Sequence, residues 1–254
     1  PANAALGRVM SIGAIMGVML KEKDEKVLIN INGHGPLGTV MAEARSNGDV
    51  RGFVGDNTVY LKYNDTNKLA VGLAVGTDGY LEVTKYLNLK NNFTSKVALK
   101  SGEIGDDFAY YFAVSEQVPS LVSVGVLVDV DYSTKSAGAL IIQLMPGHTE
   151  SDIAFIENLK LEPISKMVAK GPSLEVSLKE LFPDFELLEK RAVRYHCDCS
   201  KERFMEGIMS IPKDDLLELL NDEVIEVKCE YCNKKYEITK KEMLEFINEH
   251  LEHR

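Results

Sequence analysis

The sequence lacks an apolar segment long enough to cross a membrane. A spanning helix needs roughly 18 or more apolar residues, and the nearest candidate, residues 4–20, contains Arg8, Ser11 and three glycines. This segment also lacks the basic front and the small-residue cleavage site of a signal peptide. We interpret it as a core helix, and we predict a cytoplasmic protein with no membrane partner.

The chain also lacks an excess of basic residues. The chain has 29 Lys and Arg against 39 Asp and Glu, a net charge of -10 and a sequence pI of about 5.1. An acidic chain repels phosphate backbones. The longest basic clusters, Lys190-Arg191, Lys234-Lys235 and Lys240-Lys241, all have acids close by. We therefore predict no nucleic-acid partner.

The composition of the 254 residues, 45% of them hydrophobic, suffices for one large domain and one small one. Over residues 1–148, short apolar runs separated by Gly, Asn and Asp turns predict an α+β domain with a large mixed or antiparallel sheet. Charged, amphipathic patterns then predict a helical linker over 149–195. The last segment, residues 196–254, is predicted to be a small metal-binding module because it holds every cysteine.

Local patterns place the individual elements. Helices are predicted at residues 4–21 and Asp106–Gln117, and Asn47-Gly48 predicts a hairpin turn. The predicted strands, in chain order, are Lys26–Asn32, Val40–Arg45, Val50–Val54, 58–63, 68–75, 80–85, Leu121–Val130 and Ala139–Leu144, and the predicted linker helices are His148–Lys160 and Leu174–Phe182.

The four cysteines form two close pairs, Cys197 with Cys199 and Cys229 with Cys232. Two such pairs build a tetrahedral metal site, because each forms a knuckle and the fold between them closes four sulfurs around one ion. Four thiolates favour structural zinc and leave no open position for water. We predict a zinc site at these four residues. Two alternatives stay open here: His196 as a substitute ligand, and buried thiols without metal.

The flanks of the second pair support this prediction. Val224–Lys228 and Lys235–Ile238 read as a hairpin with the pair at its tip, and Thr239 and Glu242 have capping-box spacing before a terminal helix. The module has few apolar residues, so we expect it to fold only with metal. Structural zinc supplies on the order of 10–16 kcal/mol of apparent binding free energy.

Longer motifs extend over most of the chain, and they make it resemble a known family. They are Gly35–Gly38, Val50–Val54, Val75–Gly79, Ser101–Ile104, Tyr110–Phe112, Ser115–Ser120, Ile141–Gly147, Cys197–Phe204 and Cys229–Asn233. With these motifs the sequence resembles the thirty-three-kilodalton heat-shock chaperones, which are bacterial redox-regulated holdases. By that comparison, we expect the chain to start inside the family's N-terminal domain and to lack its opening strand region.

The resemblance implies an inactive, reduced form with bound zinc. It implies that oxidation releases the zinc and forms two disulfides, Cys197-Cys199 and Cys229-Cys232. The linker then unfolds, and the exposed apolar surface binds unfolded client proteins without ATP, in a form expected to be a homodimer. Disulfides that close such short loops restrict the unfolded chain little, so oxidation is expected to unfold the module.

Other functions are less consistent with the sequence than a chaperone. A zinc-ribbon nucleic-acid binder is the main alternative, although residues 197–254 hold 15 Asp and Glu against 9 Lys and Arg. A Cys-x-x-Cys oxidoreductase would need the pair at the start of a helix. Residues 33–38 match the glycine-rich dinucleotide fingerprint, but a hairpin follows where a helix is required. Asp106 and Asp107 are interpreted as helix caps, so no enzyme is predicted.

Overall fold

The computed structural model describes residues 1–64, 68–159, 161–170 and 174–251. The chain divides into two units, Pro1–Tyr195 and His196–Arg254. Both units combine helices and strands, so the predicted α+β class is confirmed. None of the helices in these ranges is long and apolar enough to span a bilayer. Lys160, the predicted end of one linker helix, lies outside the described residues.

The elements of each unit follow in chain order. The first unit contains α1 (Ala2–Val18), β1 (Lys26–Asn32), β2 (Val40–Arg45), β3 (Asp49–Val54), α2 (Val71–Val75), β4 (Tyr80–Tyr86), β5 (Phe93–Ala98), α3 (Gly105–Val114), β6 (Ser120–Val128), β7 (Thr134–Gln143), α4 (Glu150–Glu157), α5 (Ile164–Ala169), α6 (Leu174–Leu181) and β8 (Arg194–Tyr195). The second contains α7 (Lys201–Ile208), α8 (Lys213–Leu219), β9 (Val224–Lys228), β10 (Lys235–Thr239) and α9 (Lys240–Leu251).

A six-stranded sheet, in the order β5-β4-β1-β2-β3-β8, forms the centre of the first unit. Its neighbours pair antiparallel except β8, which runs parallel to β3. Along β1, Val27, Ile29 and Ile31 are buried and alternate with half-buried residues, which is the two-residue period of a strand with one face on the core.

Helix α1 packs on this sheet and on the β6–β7 hairpin. Glycines on the helix allow the close approach. A Cβ at Gly17 would lie 2.9 Å from the Cβ of Ala44, and one at Gly7 would lie 2.8 Å from Val126. The prediction of a core helix near residues 4–21 is therefore confirmed, and the small residues that could be misread as a signal peptide serve packing.

Two predicted strands, 58–63 and 68–75, are wrong. The described part of this region has one isolated bridge, between Lys62 and Leu69, and then the short helix α2. Four of the five residues of α2 are buried. A short apolar run that is mostly buried has no periodicity that distinguishes a helix from a strand. The edge strand β5 was missed, because Val97 is its one buried residue.

The segment 149–195 belongs to the first unit, and its role as a linker stays a prediction. The predicted helices correspond to α4 and α6, while α5 was missed. Helix α5 packs on the β6–β7 hairpin, where a Cβ at Gly125 would lie 2.9 Å from the Oγ of Ser165. The hydroxyl of Ser136 donates a 2.7 Å hydrogen bond to the carbonyl of Ser165.

The predicted capping role of Asp107 is confirmed. Its carboxylate is fully buried and accepts hydrogen bonds from the backbone N–H groups of Lys100, Ser101 and Ile104, at 2.6, 3.0 and 2.9 Å. These bonds close the start of α3 onto the loop before it. The exposed Asp106 accepts a bond from the Ser101 hydroxyl. Both carboxylates therefore belong to a helix terminus rather than to a catalytic pair.

The second unit has a hydrophobic core of its own. The side chains of Met205, Ile208, Ile225, Ile238 and Met243 are buried together. They come from α7, from the two strands of the β9–β10 hairpin and from α9. Because the unit is small, this core contributes limited stability alone, and the cysteine cluster lies in the same unit.

Candidate metal centre

The second cysteine pair lies at the tip of the β9–β10 hairpin, as predicted. The strands pair in register from Val224 with Thr239 to Lys228 with Lys235. At the tip, the N–H of Cys229 donates to Lys234 and the N–H of Asn233 donates to Cys229, at 2.9 and 2.8 Å. Asn233 has φ 60°, a conformation that asparagine tolerates. The tight turn brings the Cys229 and Cys232 side chains to one side of the hairpin.

The first pair precedes helix α7. Ser200 caps this helix, since its hydroxyl accepts a 3.3 Å bond from the N–H of Arg203. Arg203 also forms a 2.8 Å ion pair with Asp198, between the two cysteines. Helix α7 is joined to α9 by a 2.6 Å ion pair between Lys201 and Glu242. Hydrogen bonding to Lys201, with the backbone and side chain of Thr239, lowers the pKa of Glu242 to about 2.

The structure brings all four predicted cysteines together. Their Sγ atoms all lie within 4.8 Å of one another. Two contacts join the pairs: Cys197 to Cys229 at 3.7 Å, and Cys199 to Cys232 at 3.4 Å. All four are free thiols. The group consists of these four residues and does not include His196.

The donor set fits a tetrahedral metal ion. A zinc ion with four sulfurs at about 2.3 Å has sulfur–sulfur edges of about 3.8 Å, close to the observed contacts. Burial raises the pKa of the Cys199 and Cys229 thiols above the usual value. A buried sulfur becomes a stable thiolate only when a nearby cation offsets the cost of burying its charge. The cluster is thus four closely placed sulfurs, and a bound cation would favour the ionised form of Cys199 and Cys229.

Tyr236, from β10, is a residue of this site that the sequence reasoning missed. Its hydroxyl donates a 2.7 Å hydrogen bond to the carbonyl of Cys199 and lies 3.3 Å from the Cys199 Sγ. That contact with Cys199 raises the pKa of the tyrosine. The ring packs against Phe204, with centroids 5.4 Å apart. No spacing rule identifies Tyr236, because its contact with Cys199 depends on the tertiary fold.

The glycine-rich segment at residues 33–38 is a tight turn, as predicted. Gly35 and Leu37 donate backbone hydrogen bonds to Val75 and Ala74, at 2.9 and 3.0 Å. A Cβ at Gly33 would lie 2.2 Å from the carbonyl oxygen of Gly76, so main chain packs directly on main chain. Strand β2 follows instead of a helix, and the arrangement lacks the helix N-terminus that binds pyrophosphate.

The fold and the site together define a class of protein. Its members have two α+β units, and the smaller unit holds four clustered thiols. The family model described as Hsp33 protein matches residues 1–239. The 33 kDa chaperonin of Bacillus velezensis is 44% identical over 98% of this chain and 86% of its own length. That of Bacillus subtilis is 45% identical, over 95% and 84%. The chain belongs to the Hsp33 family.

The fold is similar to that of a solved member. The crystal structure of the 33 kDa chaperonin (heat shock protein 33 homolog) from Thermotoga maritima superposes with a TM-score of 0.84 at 35% sequence identity. The match covers 98% of this chain and 86% of that one. The family resemblance found in the sequence motifs is therefore confirmed.

Proposed function

We propose that this protein is a redox-regulated, ATP-independent holdase that keeps unfolded client proteins from aggregating in the cytoplasm. One observation carries the proposal: the Sγ atoms of four free cysteines lie within 4.8 Å of one another in a small unit. The relatives named 33 kDa chaperonin support a chaperone. A closed set of four sulfurs supports a structural and regulatory role rather than an enzymatic one.

Zinc is the proposed metal, and Cys197, Cys199, Cys229 and Cys232 are its proposed ligands. Bound there, zinc would hold the sulfurs as thiolates and close the two knuckles into one site. The helix cap at Ser200 and the hairpin turn at Asn233 position the two pairs. Because the four sulfurs come from distant parts of the unit, binding the metal and folding the unit are coupled.

Oxidation is the proposed trigger. One molecule of peroxide takes two electrons from a pair of thiolates and two protons from solvent, and it leaves one disulfide and two waters. We assign the disulfides to Cys197-Cys199 and Cys229-Cys232, because the chain itself keeps each pair close once the ligand set is lost. The contacts across the pairs, Cys197 to Cys229 and Cys199 to Cys232, depend on the folded unit. Oxidation therefore favours unfolding of residues 196–254.

The apolar surface that holds clients is proposed to come from the linker, residues 149–195, and from what it covers. Ile164 and Met167 of α5 are buried where this helix packs on the β6–β7 hairpin. Leu187 and Leu188 are already exposed. Release of the linker would uncover the buried pair, and contiguous apolar surface binds other apolar chains. The client-holding form is proposed to be a homodimer.

The test combines three measurements on the reduced chain and on the chain treated with peroxide at mild heat. Zinc is measured with a chromogenic chelator, free thiols by titration, and holdase activity by light scattering of a thermally unfolding protein. We expect one zinc and four thiols before oxidation, and no zinc, no free thiols and suppressed aggregation afterwards. A chain that keeps its zinc, or that suppresses aggregation equally well when reduced, would contradict the proposal.

A variant sharpens this test. Cys229→Ser with Cys232→Ser removes two ligands, so zinc should be absent without any oxidant and the chain should hold clients partly or fully. The matched control is Ser210→Ala, which changes one hydroxyl of the same unit whose hydrogen bond goes to the Gly207 carbonyl. The control should keep its zinc and its response to peroxide.

A further inference from the structure

Strand β8 is an unusually short edge strand of the six-stranded sheet. It pairs in parallel with the first two residues of β3, Asp49 with Arg194 and Val50 with Tyr195. Strand β3 has six residues, and its other side pairs with β2. Without β8, β3 would be the edge strand of the sheet in the described structure. The chain's own segment thus occupies a sheet edge.

The contacts that hold β8 are polar, and the side chains that β8 contributes to them are exposed to solvent. The N–H of Arg194 donates to the carbonyl of Gly48 at 3.1 Å, and its guanidinium lies 2.5 Å from the Asp49 carboxylate. Arg191 donates a 2.9 Å hydrogen bond to the carbonyl of Val18. The side chain of Arg194 is 70% exposed, and Tyr195 is 51% exposed. The guanidinium end of the ion pair is in solvent, which screens part of its attraction to Asp49. With only two residues of strand pairing besides, β8 is held weakly.

The segment before β8 adds little apolar packing to its attachment. Residues 185–193 contain no helix or strand. Leu188 within it is 88% exposed, and Leu187 and Val193 are exposed too. Local opening costs least where apolar contacts are few and hydrogen bonds are exposed. Detachment of β8 is therefore a low-energy opening of the first unit.

The edge of β3 that β8 covers is more buried than β8 itself. The Asp49 side chain is only 7% exposed, and the amide of Asn47 donates to its carboxylate at 3.0 Å. Gly48 has φ +87°, and a Cβ there would lie 2.1 Å from the carbonyl oxygen of Ala192. The glycine lets an extended backbone pass close by. The sheet edge thus offers a backbone acceptor at Gly48 beside a buried carboxylate at Asp49.

We propose that the edge of β3 at residues 48–50 is a client-binding site that β8 occupies in the resting protein. When β8 leaves, an extended segment of an unfolded polypeptide with an arginine opposite Asp49 takes its place by main-chain hydrogen bonding. Addition of a strand to a sheet edge needs only backbone groups, which every unfolded chain has. The carboxylate adds a preference for a basic residue. This inference rests on the proposed chaperone function.

The probe is a fluorescein-labelled peptide with the sequence of residues 189–195, Glu-Lys-Arg-Ala-Val-Arg-Tyr. The variant Arg194→Pro removes both the N–H that donates to Gly48 and the guanidinium that pairs with Asp49, so it frees the edge. Binding is measured by fluorescence anisotropy on the full-length, reduced, zinc-loaded chain. We expect the variant to bind the peptide about tenfold or more tightly than the unaltered chain does. Arg191→Ala with Arg194→Ala is a second way to free the edge if the proline variant misfolds.

Two control peptides separate backbone pairing from general stickiness. N-methylation of the second arginine of the peptide blocks the N–H that would donate to Gly48 and should abolish binding. Replacement of that arginine by leucine should weaken binding to the Arg194→Pro chain. In the Arg194→Pro chain with Asp49→Asn, the arginine and leucine peptides should bind with equal affinity.

Equal binding of the N-methylated peptide, or no binding to either opened variant, would overturn the proposal. Peptide binding that appears only in the dimeric fraction in analytical ultracentrifugation would overturn it too, because the site would then require a second copy of the chain. All measurements use reduced protein, so failure of the redox switch leaves this result interpretable, and failure of the edge site leaves the switch untouched.

Discussion

The hydroxyl of Tyr236 touches Cys199 at two atoms, the carbonyl oxygen at 2.7 Å and the Sγ at 3.3 Å. The tyrosine lies on β10 of the hairpin, whereas Cys199 precedes α7. One side chain thus fixes the position of the first cysteine pair relative to the hairpin that carries the second. Groups that orient a metal ligand help to set its affinity for the metal.

Replacement of Tyr236 by phenylalanine should weaken zinc binding. The change removes the hydroxyl and keeps the ring that packs on Phe204. Loss of such an orienting group lowers metal affinity roughly 10- to 100-fold. The measurement is competition for zinc against a chelator of known affinity. Tyr60→Phe, an exposed tyrosine of the first unit, is the control. An unchanged zinc affinity would show that Tyr236 does not orient the ligand.

The small core of the second unit should be coupled to zinc binding. Met243 is fully buried among Ile225, Ile238 and their neighbours. Met243→Ala should cost about 2–5 kcal/mol of folding free energy, and zinc affinity should fall because folding and binding are linked. Leu244→Ala is the matched control, since its side chain is exposed and adjacent in sequence. Identical chelator competition curves for the two variants would contradict the coupling.

Asp107→Ala should strongly destabilise the first unit. The substitution leaves three backbone N–H groups, those of Lys100, Ser101 and Ile104, without their acceptor. A buried donor left unsatisfied costs about 1–3 kcal/mol. The Ile104 N–H is buried and the other two are part-buried, so we expect a total loss of about 2 kcal/mol or more. Urea unfolding measures it. Asp106→Ala, which removes one exposed bond to Ser101, should cost under about 1 kcal/mol. Equal losses of unfolding free energy in the two variants would show that the burial of Asp107 does not determine the cost.

The stability of the sheet should fall in acid because of Glu43. Burial acts to raise the pKa of this carboxyl, but the charges of Arg51, Lys26 and Arg45 outweigh it and hold the pKa below its ordinary value near 4.5. A carboxyl with a lowered pKa in the folded state stabilises the fold above its unfolded pKa, and that stability is lost as the pH falls.

The measurement for Glu43 is hydrogen exchange of the β1–β3 amides from pH 5.5 down to pH values below about 4. Amide protection should fall as the pH falls in the unaltered chain. In the Glu43→Gln chain, protection should be lower at the starting pH and should change less. The exposed Glu22 provides the control Glu22→Gln, which should follow the unaltered chain. A Glu43→Gln chain with the full pH dependence would assign the effect to other carboxyls.

The features that the sequence predicted best are those whose signal is local. The spacing of the cysteines and the flanking strand pattern predicted the cluster and its hairpin. The Thr239 and Glu242 pair predicted the start of α9, and the two groups do exchange hydrogen bonds of 2.8 and 3.2 Å. The cap at Asp107 was found in the same way, because an acid before an apolar helix is a local pattern.

The features that the sequence did not predict depend on tertiary contacts. Helix α2 is a five-residue apolar run with four buried residues, which is too short for its period to distinguish a helix from a strand. Strand β8 is two exposed residues, and its pairing with β3 arises from Gly48 and Asp49, some 145 positions earlier. The same holds for Tyr236, whose contact with Cys199 spans 37 positions.

The corner formed by Gly33, Gly35 and Gly76 affects how mutants of this family should be interpreted. Backbone atoms touch there with no room for a methyl group on either side. Alanine scanning through this glycine-rich stretch would therefore abolish activity by misfolding. An investigator guided by its likeness to a nucleotide fingerprint could take that loss as proof of a bound cofactor, although the experiment would only have reported steric collision.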